Sequence, residues 1–375
     1  MRILLTTEVF LPRISGLVTA VKNLAEALVD RGEQVWLACP DSDPARCWSA
    51  MARVSLLPMG SISLGRDLAI GVSVPRIARQ ITGIGIDVTH AHSPGLIGRA
   101  AIRASRRRGI PVIATLHTVP ENLVAPLGLP AGGPVANRAL AGLICGPFRQ
   151  VDTAVAPSAY AAKMLRRYAR SPPQIVSNGV RMPSAPRPIR RHAVRDQLRA
   201  LYVGRLQREK RVEELLHGLA VARSLGTDVT LTVVGGGPME RSLRSTAGRL
   251  GVATDVSFVG RVSAEALDDI RDEASLFCIS SRSELQCCSI LEAMACALPI
   301  VGARYGAIPE TAPDHRVGRL YTAGDARALG MTFHHLANDC QAYRRYSEGA
   351  LKQADAHSLE ATVSRLQAIY SKADY

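Results

Sequence analysis

Short apolar runs ending in polar or small residues alternate along the chain with longer stretches of helical spacing. MRILLTT opens as a strand, FLPRISG follows as a loop, and LVTAVKNLAEALVDRG is an amphipathic helix ending at Gly32. QVWLACP, DVTHAHS, PVIATLHT and DTAVAPS are further strands, with LIGRAAIRASRRRG among the helices between them. Residues 181–197, RMPSAPRPIRRHAVRDQ, break this rhythm with three prolines and a charge run, and predict a linker. The pattern then restarts with RALYVGRL, VEELLHGLAVARSLG, VTLTVVGGGP, MERSLRSTAGRLG, VSFVGRV, LFCISS and PIVGAR, and ends in a helical tail over 340–375. Strands alternating with helices predict α/β halves, each a parallel sheet covered on both faces.

The length of 375 residues suits two domains of ordinary size. The expected division is 1–180, a linker at 181–197, a second domain at 198–355, and a last helix over 356–375 that packs back on the first. Two such halves leave a cleft that the carboxyl ends of both sets of strands can face, and ligands of open α/β sheets bind at those ends. No apolar run approaches the length needed to span a bilayer. The start reads as a strand rather than an export signal, so the expected location is cytoplasmic.

Charge sharpens the picture unevenly. The net charge is +14, with 20 Lys+Arg and 10 Asp+Glu in residues 1–180 against 26 and 22 in residues 181–375. A basic first half fits an acidic partner, such as anionic lipid headgroups or a phosphate-bearing acceptor. The competing reading is arginine scattered over an ordinary surface. RASRRRG at 103–109 is the densest cluster, and no zinc finger or aromatic-interleaved RNA motif accompanies it, which argues against nucleic acid. Eight cysteines without a CxxC and nine histidines outside metal spacing suggest buried thiols rather than disulfides or zinc.

Candidate chemistry lies where strands end. VGRLQREK puts Gly204, Arg205 and Lys210 after a strand, two cations able to neutralise a diphosphate, though a solvated basic turn has the same composition. Gly16 stands between the first strand and first helix, where backbone N–H groups can approach an anion. GGGP at 235–238 lacks the Lys and Ser of a P-loop and reads as a tight turn. His90, His92 and His117 follow first-half strands and can bond sugar hydroxyls or phosphate, but a lone histidine is more often structural. SRSELQCCSILEAMA, residues 281–295, sets Glu284 in a strand-to-helix loop and Glu292 in the first turn of a helix from Ser289. That helix start would receive a phosphate, and the two acids would accept from hydroxyls on either side of it. The bland reading is a solvated loop acid and a helix-dipole partner. Taken together, these groups suit a nucleotide diphosphate sugar.

ELQCCSILEAMACALPIV, YVGRLQREKR, VSNGV, FVGRV and FLPRISGLVTAVKNLAEAL together resemble the retaining glycosyltransferases of family four. The likeness runs from residue 1 to about 330. It implies the GT-B fold: two Rossmann-like domains with parallel sheets facing a central cleft, the first binding acceptor and the second the donor nucleotide. It implies that Glu292 holds the donor ribose, Glu284 the hydroxyls of the transferred sugar, and Arg205 and Lys210 the diphosphate. The backbone at Gly16 would face the same diphosphate, His117 would lie near the transferred sugar and Val262 by the nucleobase. No metal or other cofactor is expected, since the cations and helix terminus do that work. The subfamily looks like bacterial enzymes acting on diacylglycerol or other lipid acceptors, with a UDP-sugar as the favoured donor, and residues 122–146 can touch an anionic bilayer or form a buried helix pair.

The chain departs from the family pattern at Gly32-Glu33, where Gly-His is usual, at Leu17 after Gly16, and at Ala297, where Gly is usual. Cys287 and Cys288, just before Ser289, replace small residues in the donor-sugar pocket, which fits a specialised donor or a secondary-metabolite acceptor. The alternatives are a sugar-nucleotide epimerase, which would need acids placed for proton abstraction, and a non-catalytic sugar-nucleotide-binding scaffold. Four matched polar groups, Arg205, Lys210, Glu284 and Glu292, argue against the scaffold.

Overall fold

The computed structural model describes residues 1–11, 15–40, 51–63, 69–71, 77, 79, 81, 83–118, 134–184, 187–190 and 196–373. Residues 122–133 of the acceptor-side stretch lie outside that range. The chain divides into two compact units, Met1–Gly179 with Leu359–Tyr375, and Val180–Ser358.

The first unit is built on strands β1 (Arg2–Thr7), β2 (Gln34–Pro40), β3 (Ser55–Met59), β6 (Val88–His92), β7 (Val112–Thr115), β8 (Thr153–Ala156) and β9 (Gln174–Ile175). They form one parallel sheet in the order β3-β2-β1-β6-β7-β8-β9. A separate antiparallel pair joins β4 (Ser61–Ser63) to β5 (Ala69–Gly71). Ile3, Leu4 and Leu5 are fully buried, as a central strand covered on both faces requires. Helix α1 (Gly16–Asp30) begins where Ser15 Oγ accepts from the Val18 N–H at 3.3 Å, and buries Val18, Val21, Leu24, Ala25 and Leu28 along one stripe. Helices α2 (Leu96–Arg106), α3 (Pro134–Cys145) and α4 (Ala159–Leu165) follow.

The last helix, α12 (Leu359–Ala373), belongs to this unit and adds Val363, Leu366, Ile369 and Tyr370 to the core formed with α1, Ile3 and Leu5. Arg31 donates to Ser364 Oγ at 2.9 Å and to Gln367 Oε1 at 2.8 Å, and Gln367 donates to Glu33 Oε1 at 2.6 Å. Glu33, which departs from the usual Gly-His, is therefore an anchor for α12.

The second unit carries β10 (Leu198–Val203), β11 (Val229–Val234), β12 (Val256–Gly260), β13 (Leu276–Ile279), β14 (Ile300–Ala303) and β15 (Gly318–Tyr321) in the parallel order β12-β11-β10-β13-β14-β15. Its helices are α5 (Val212–Ser224), α6 (Glu240–Arg249), α7 (Ala264–Glu273), α8 (Cys288–Ala295), α9 (Ile308–Thr311), α10 (Ala326–Asn338) and α11 (Cys340–Ala356). One core packs α5, α6 and α10 on the sheet, and another packs α8 and α11. Both sheets have the doubly wound order 3-2-1-4 at their centre, so each has a switch point beside its first strand. Arg190 donates to the carbonyls of Cys296, Ala274 and Arg271, and its N–H to Ser347 Oγ at 2.8 Å, so this proline-rich stretch is held on the second unit.

Candidate active site at the strand ends

The switch point of the second unit lies between β10 and β13. The loop after β10 carries Gly204 and Arg205 and closes with a short turn, Arg208–Lys210, ahead of α5. The loop after β13 carries Glu284. The Ser280 hydroxyl donates to the Lys210 carbonyl at 2.9 Å, and the Arg282 N–H donates to the Glu209 carbonyl at 2.9 Å, so the two loops are laced together. Across them Lys210 Nζ donates to Glu284 Oε1 at 2.6 Å, with both side chains only 13% and 12% exposed. Burial pulls the Lys210 ammonium towards the neutral form, but the Glu284 carboxylate overrides it and holds the pKa above the usual lysine value. Arg205 is more open, at 42% exposed, 3.9 Å from Glu209. One cation is thus fixed at the switch point and a second reaches outward from the same turn.

Glycines let the neighbouring loop back onto this turn. Gly235 has φ +124°, and a Cβ there would lie 2.0 Å from the Gly204 carbonyl oxygen. The Leu206 N–H donates to the Gly236 carbonyl at 3.0 Å, and the Met239 N–H to the Leu206 carbonyl at 3.1 Å. The GGGP segment is a buttress for the arginine-bearing turn. Glu214, buried in the first turn of α5, accepts from Arg282 at 2.8 Å, from Arg211 Nε at 3.3 Å and from the Gly324 N–H at 3.0 Å. Sequence reasoning missed this hub, because nothing local distinguishes Glu214 from Glu213 beside it.

Two expectations are corrected. Helix α8 starts at Cys288, not Ser289, because Cys287 takes the N-cap position, and no side chain caps it. Glu292 consequently falls in the second turn. There it is ion-paired with Arg271 of α7, which also bonds Asp268 at 3.0 Å, so one Glu292 oxygen is already engaged. Burial pushes the Glu292 carboxyl up despite the pull of Arg271. Cys287 is buried, lies 3.1 Å from Ser289 Oγ through its sulfur, and is pushed up to about 12 by burial, so it stays a neutral thiol. Cys288 is half-buried. Val262, just past β12, packs against the same core as α8.

In the first unit the structure gathers the three histidines into one cluster. His90 and His92 lie within β6 rather than after it, and the two-residue strand period puts both rings on one face, their centroids 4.2 Å apart. His90 is bonded through Nδ1 to the Tyr370 hydroxyl and through Nε2 to Thr115 Oγ1, each at 2.7 Å. His117 does follow its strand, and its Nε2 lies 2.9 Å from His92 Nδ1. Burial lowers all three pKa values, to about 3 for His90, about 4 for His117 and well below the ordinary range for His92, so the cluster is neutral at pH 7. Gly16 is the first residue of α1. The switch point of this unit, between β1 and β6, is filled from within. Glu8 accepts from the N–H groups of Gly95 at 3.0 Å, Ile97 at 3.3 Å and Gly98 at 2.8 Å, so its carboxyl takes the anion position at the start of α2. Among the described residues no group of three or more His, Cys, Asp and Glu is placed to hold a metal ion, and no helix is long and apolar enough to cross a membrane.

Residues 14–182 match the family model described as Glycosyltransferase Family 4, and residues 189–353 match that described as Glycosyl transferases group 1. The chain is 28% identical over 355 residues to a GDP-mannose-dependent alpha-mannosyltransferase of Mycobacterium tuberculosis, covering 91% of this chain and 89% of that one. It is 25% identical over 337 residues to an alpha-monoglucosyldiacylglycerol synthase of Streptococcus pneumoniae, covering 86% and 75%. In fold it is similar to Anabaena HepE, solved with UDP and glucose, with a TM-score of 0.76 at 17% identity over 99% of this chain and 100% of that one. It is likewise similar to a glycosyltransferase of Rickettsia africae, with a TM-score of 0.73 at 15% identity over 99% and 98%. Two parallel α/β units of GT-B type, matched in turn by two glycosyltransferase models, place the chain in glycosyltransferase family four, whose members move a sugar from a nucleotide sugar.

Proposed function

We propose that the chain is a retaining, metal-independent hexosyltransferase acting on a hydroxyl acceptor at a lipid surface. The observation that carries this is the Lys210–Glu284 pair at the switch point of the second unit. In the bound state Lys210 and Arg205 hold the donor diphosphate, Glu284 accepts from hydroxyls of the transferred sugar, and Glu292 from the ribose. The C1–O bond to phosphate breaks as a bond from C1 to the acceptor oxygen forms on the same face. The acceptor proton passes to the departing phosphate oxygen, so no side chain need serve as base. The fixed Lys210 and the outward-reaching Arg205 offset the charge that grows on the diphosphate, the task a divalent metal performs elsewhere. The first unit takes the acceptor, and His117 bonds the sugar. The lipid-surface reading is supported by the basic first half and by the Streptococcus relative, named for a diacylglycerol product. The donor is a UDP- or GDP-sugar, the second supported by the Mycobacterium relative's name.

The test is a thermal-shift screen with UDP-glucose, GDP-mannose and ADP-glucose, followed by transfer to diacylglycerol-containing vesicles with and without EDTA. Stabilisation by one nucleotide class and EDTA-resistant formation of an α-glycoside are expected. A strict metal requirement or an inverted product would overturn the mechanism.

A further inference from the structure

We propose that His92 is a positioning residue that fixes the tautomer of His117, so that His117 meets its ligand as an Nδ1–H donor rather than as a base. The inference rests on the reading of His117 as a ligand contact. His92 is 3% exposed, and its Nε2 has no hydrogen-bond partner, while its Nδ1 faces His117 Nε2 at 2.9 Å. Both rings are neutral, so each carries one proton, and a single proton lies between them. Two arrangements satisfy that bond. If His117 donated through Nε2, the proton of His92 would sit on its orphaned Nε2 as a buried N–H without an acceptor. If His92 donates through Nδ1, the orphan is a bare lone pair. Buried donors without partners are the rarer case in proteins, which favours the second arrangement.

The consequence reaches the far side of His117. With Nε2 accepting, its proton is on Nδ1, and among the described residues Nδ1 has no hydrogen-bond partner. The backbone is held as well: the His117 N–H donates to Ser93 Oγ at 2.8 Å, and Ser93, at φ +48°, is bent to meet it. The ring is thus stacked on His92, with centroids 5.2 Å apart, and offers one donor. Such a group suits a sugar hydroxyl oxygen or a phosphate oxygen.

Long-range 1H–15N correlation on the full-length protein labelled in its imidazole nitrogens reads the tautomer directly. His117 is expected to be protonated on Nδ1 and bare on Nε2, with signals assigned through loss in His92→Asn and His117→Asn variants. His92→Asn, whose amide can replace the Nδ1–H, should keep most of kcat. His92→Leu should lose roughly 10- to 100-fold in kcat with a smaller change in donor KM, the range typical when a group that orients another is removed. Nucleotide release from UDP-glucose or GDP-mannose, whichever the protein turns over, is the readout. A proton on His117 Nε2 overturns the proposal whatever the kinetics show, as does equal loss in the Asn and Leu variants. The expected tautomer together with full turnover in His117→Ala would instead remove the ligand role of His117, and with it the role of His92.

Discussion

Lys210 and Glu284 are each other's partner in the unliganded protein, so each variant has two effects. Removing one charge leaves the other buried and unpaired, which costs about 1–3 kcal/mol. Lys210→Ala and Glu284→Ala should each fall by that amount in urea denaturation and lose at least about 100-fold in transfer. The double variant should regain part of the stability and none of the activity, since the uncompensated charge is gone but so is the ligand contact. Recovery of activity in the double variant would show that the pair is structural. At this scale the sequence was informative about position: Lys210, Arg205, Glu284 and His117 were expected just after strands, and the structure has them there. Glu8 was not, because its three donors are at Gly95, Ile97 and Gly98, far along the chain. The ion pair of Glu292 was not legible, because Arg271 lies in an ordinary polar helix 21 residues away along the chain.

Elements were legible wherever apolar spacing was regular, and less so at their ends. The start of α8 slipped by one residue because the N-cap is Cys287, which makes no side-chain cap bond, while Ser289, the residue with capping preference, lies inside the helix. The contacts between elements leave a fainter mark. Gly349, in the middle of α11, looks like a helix weakness that alanine would repair. A Cβ there would lie 1.9 Å from the Arg316 carbonyl oxygen. Gly349→Ala should therefore destabilise the protein by about 1–3 kcal/mol, against the sign of helix propensity. Equilibrium unfolding measures it, and a gain in stability would mean that α11 can shift. Ala297 shows the opposite bargain. It sits at φ +59°, a conformation that explains why the family prefers glycine there, and it is kept although an L-residue is strained by about 1 kcal/mol.

Two parallel sheets in one chain follow from strands that end in turn residues and restart after a proline-rich break. What the pattern cannot carry is which residues titrate together. His90 and His92 are buried neutral, with pKa values far below that of an unfolded histidine near 6.5. Below that value the unfolded chain binds protons that the native one refuses, so stability falls as pH drops from about 6.5 towards about 4, by up to about 1.4 kcal/mol per pH unit for each histidine. Urea midpoints at pH 7 and pH 5.5 should show this loss, and His90→Asn should flatten it. An unchanged slope would mean that His90 is protonated when folded. The Tyr370 hydroxyl that meets His90 belongs to α12, and α12 carries a further consequence. The unit whose strands are made first is completed by a helix made only after the whole of the second unit. Residues 180–358 must emerge in between, on the order of ten to forty seconds of synthesis at ordinary elongation rates. Throughout that interval the nascent first domain holds Ile3, Leu5 and the α1 stripe without their final cover. The core of the first unit can therefore close fully only once α12 has been made, however stable the finished protein is.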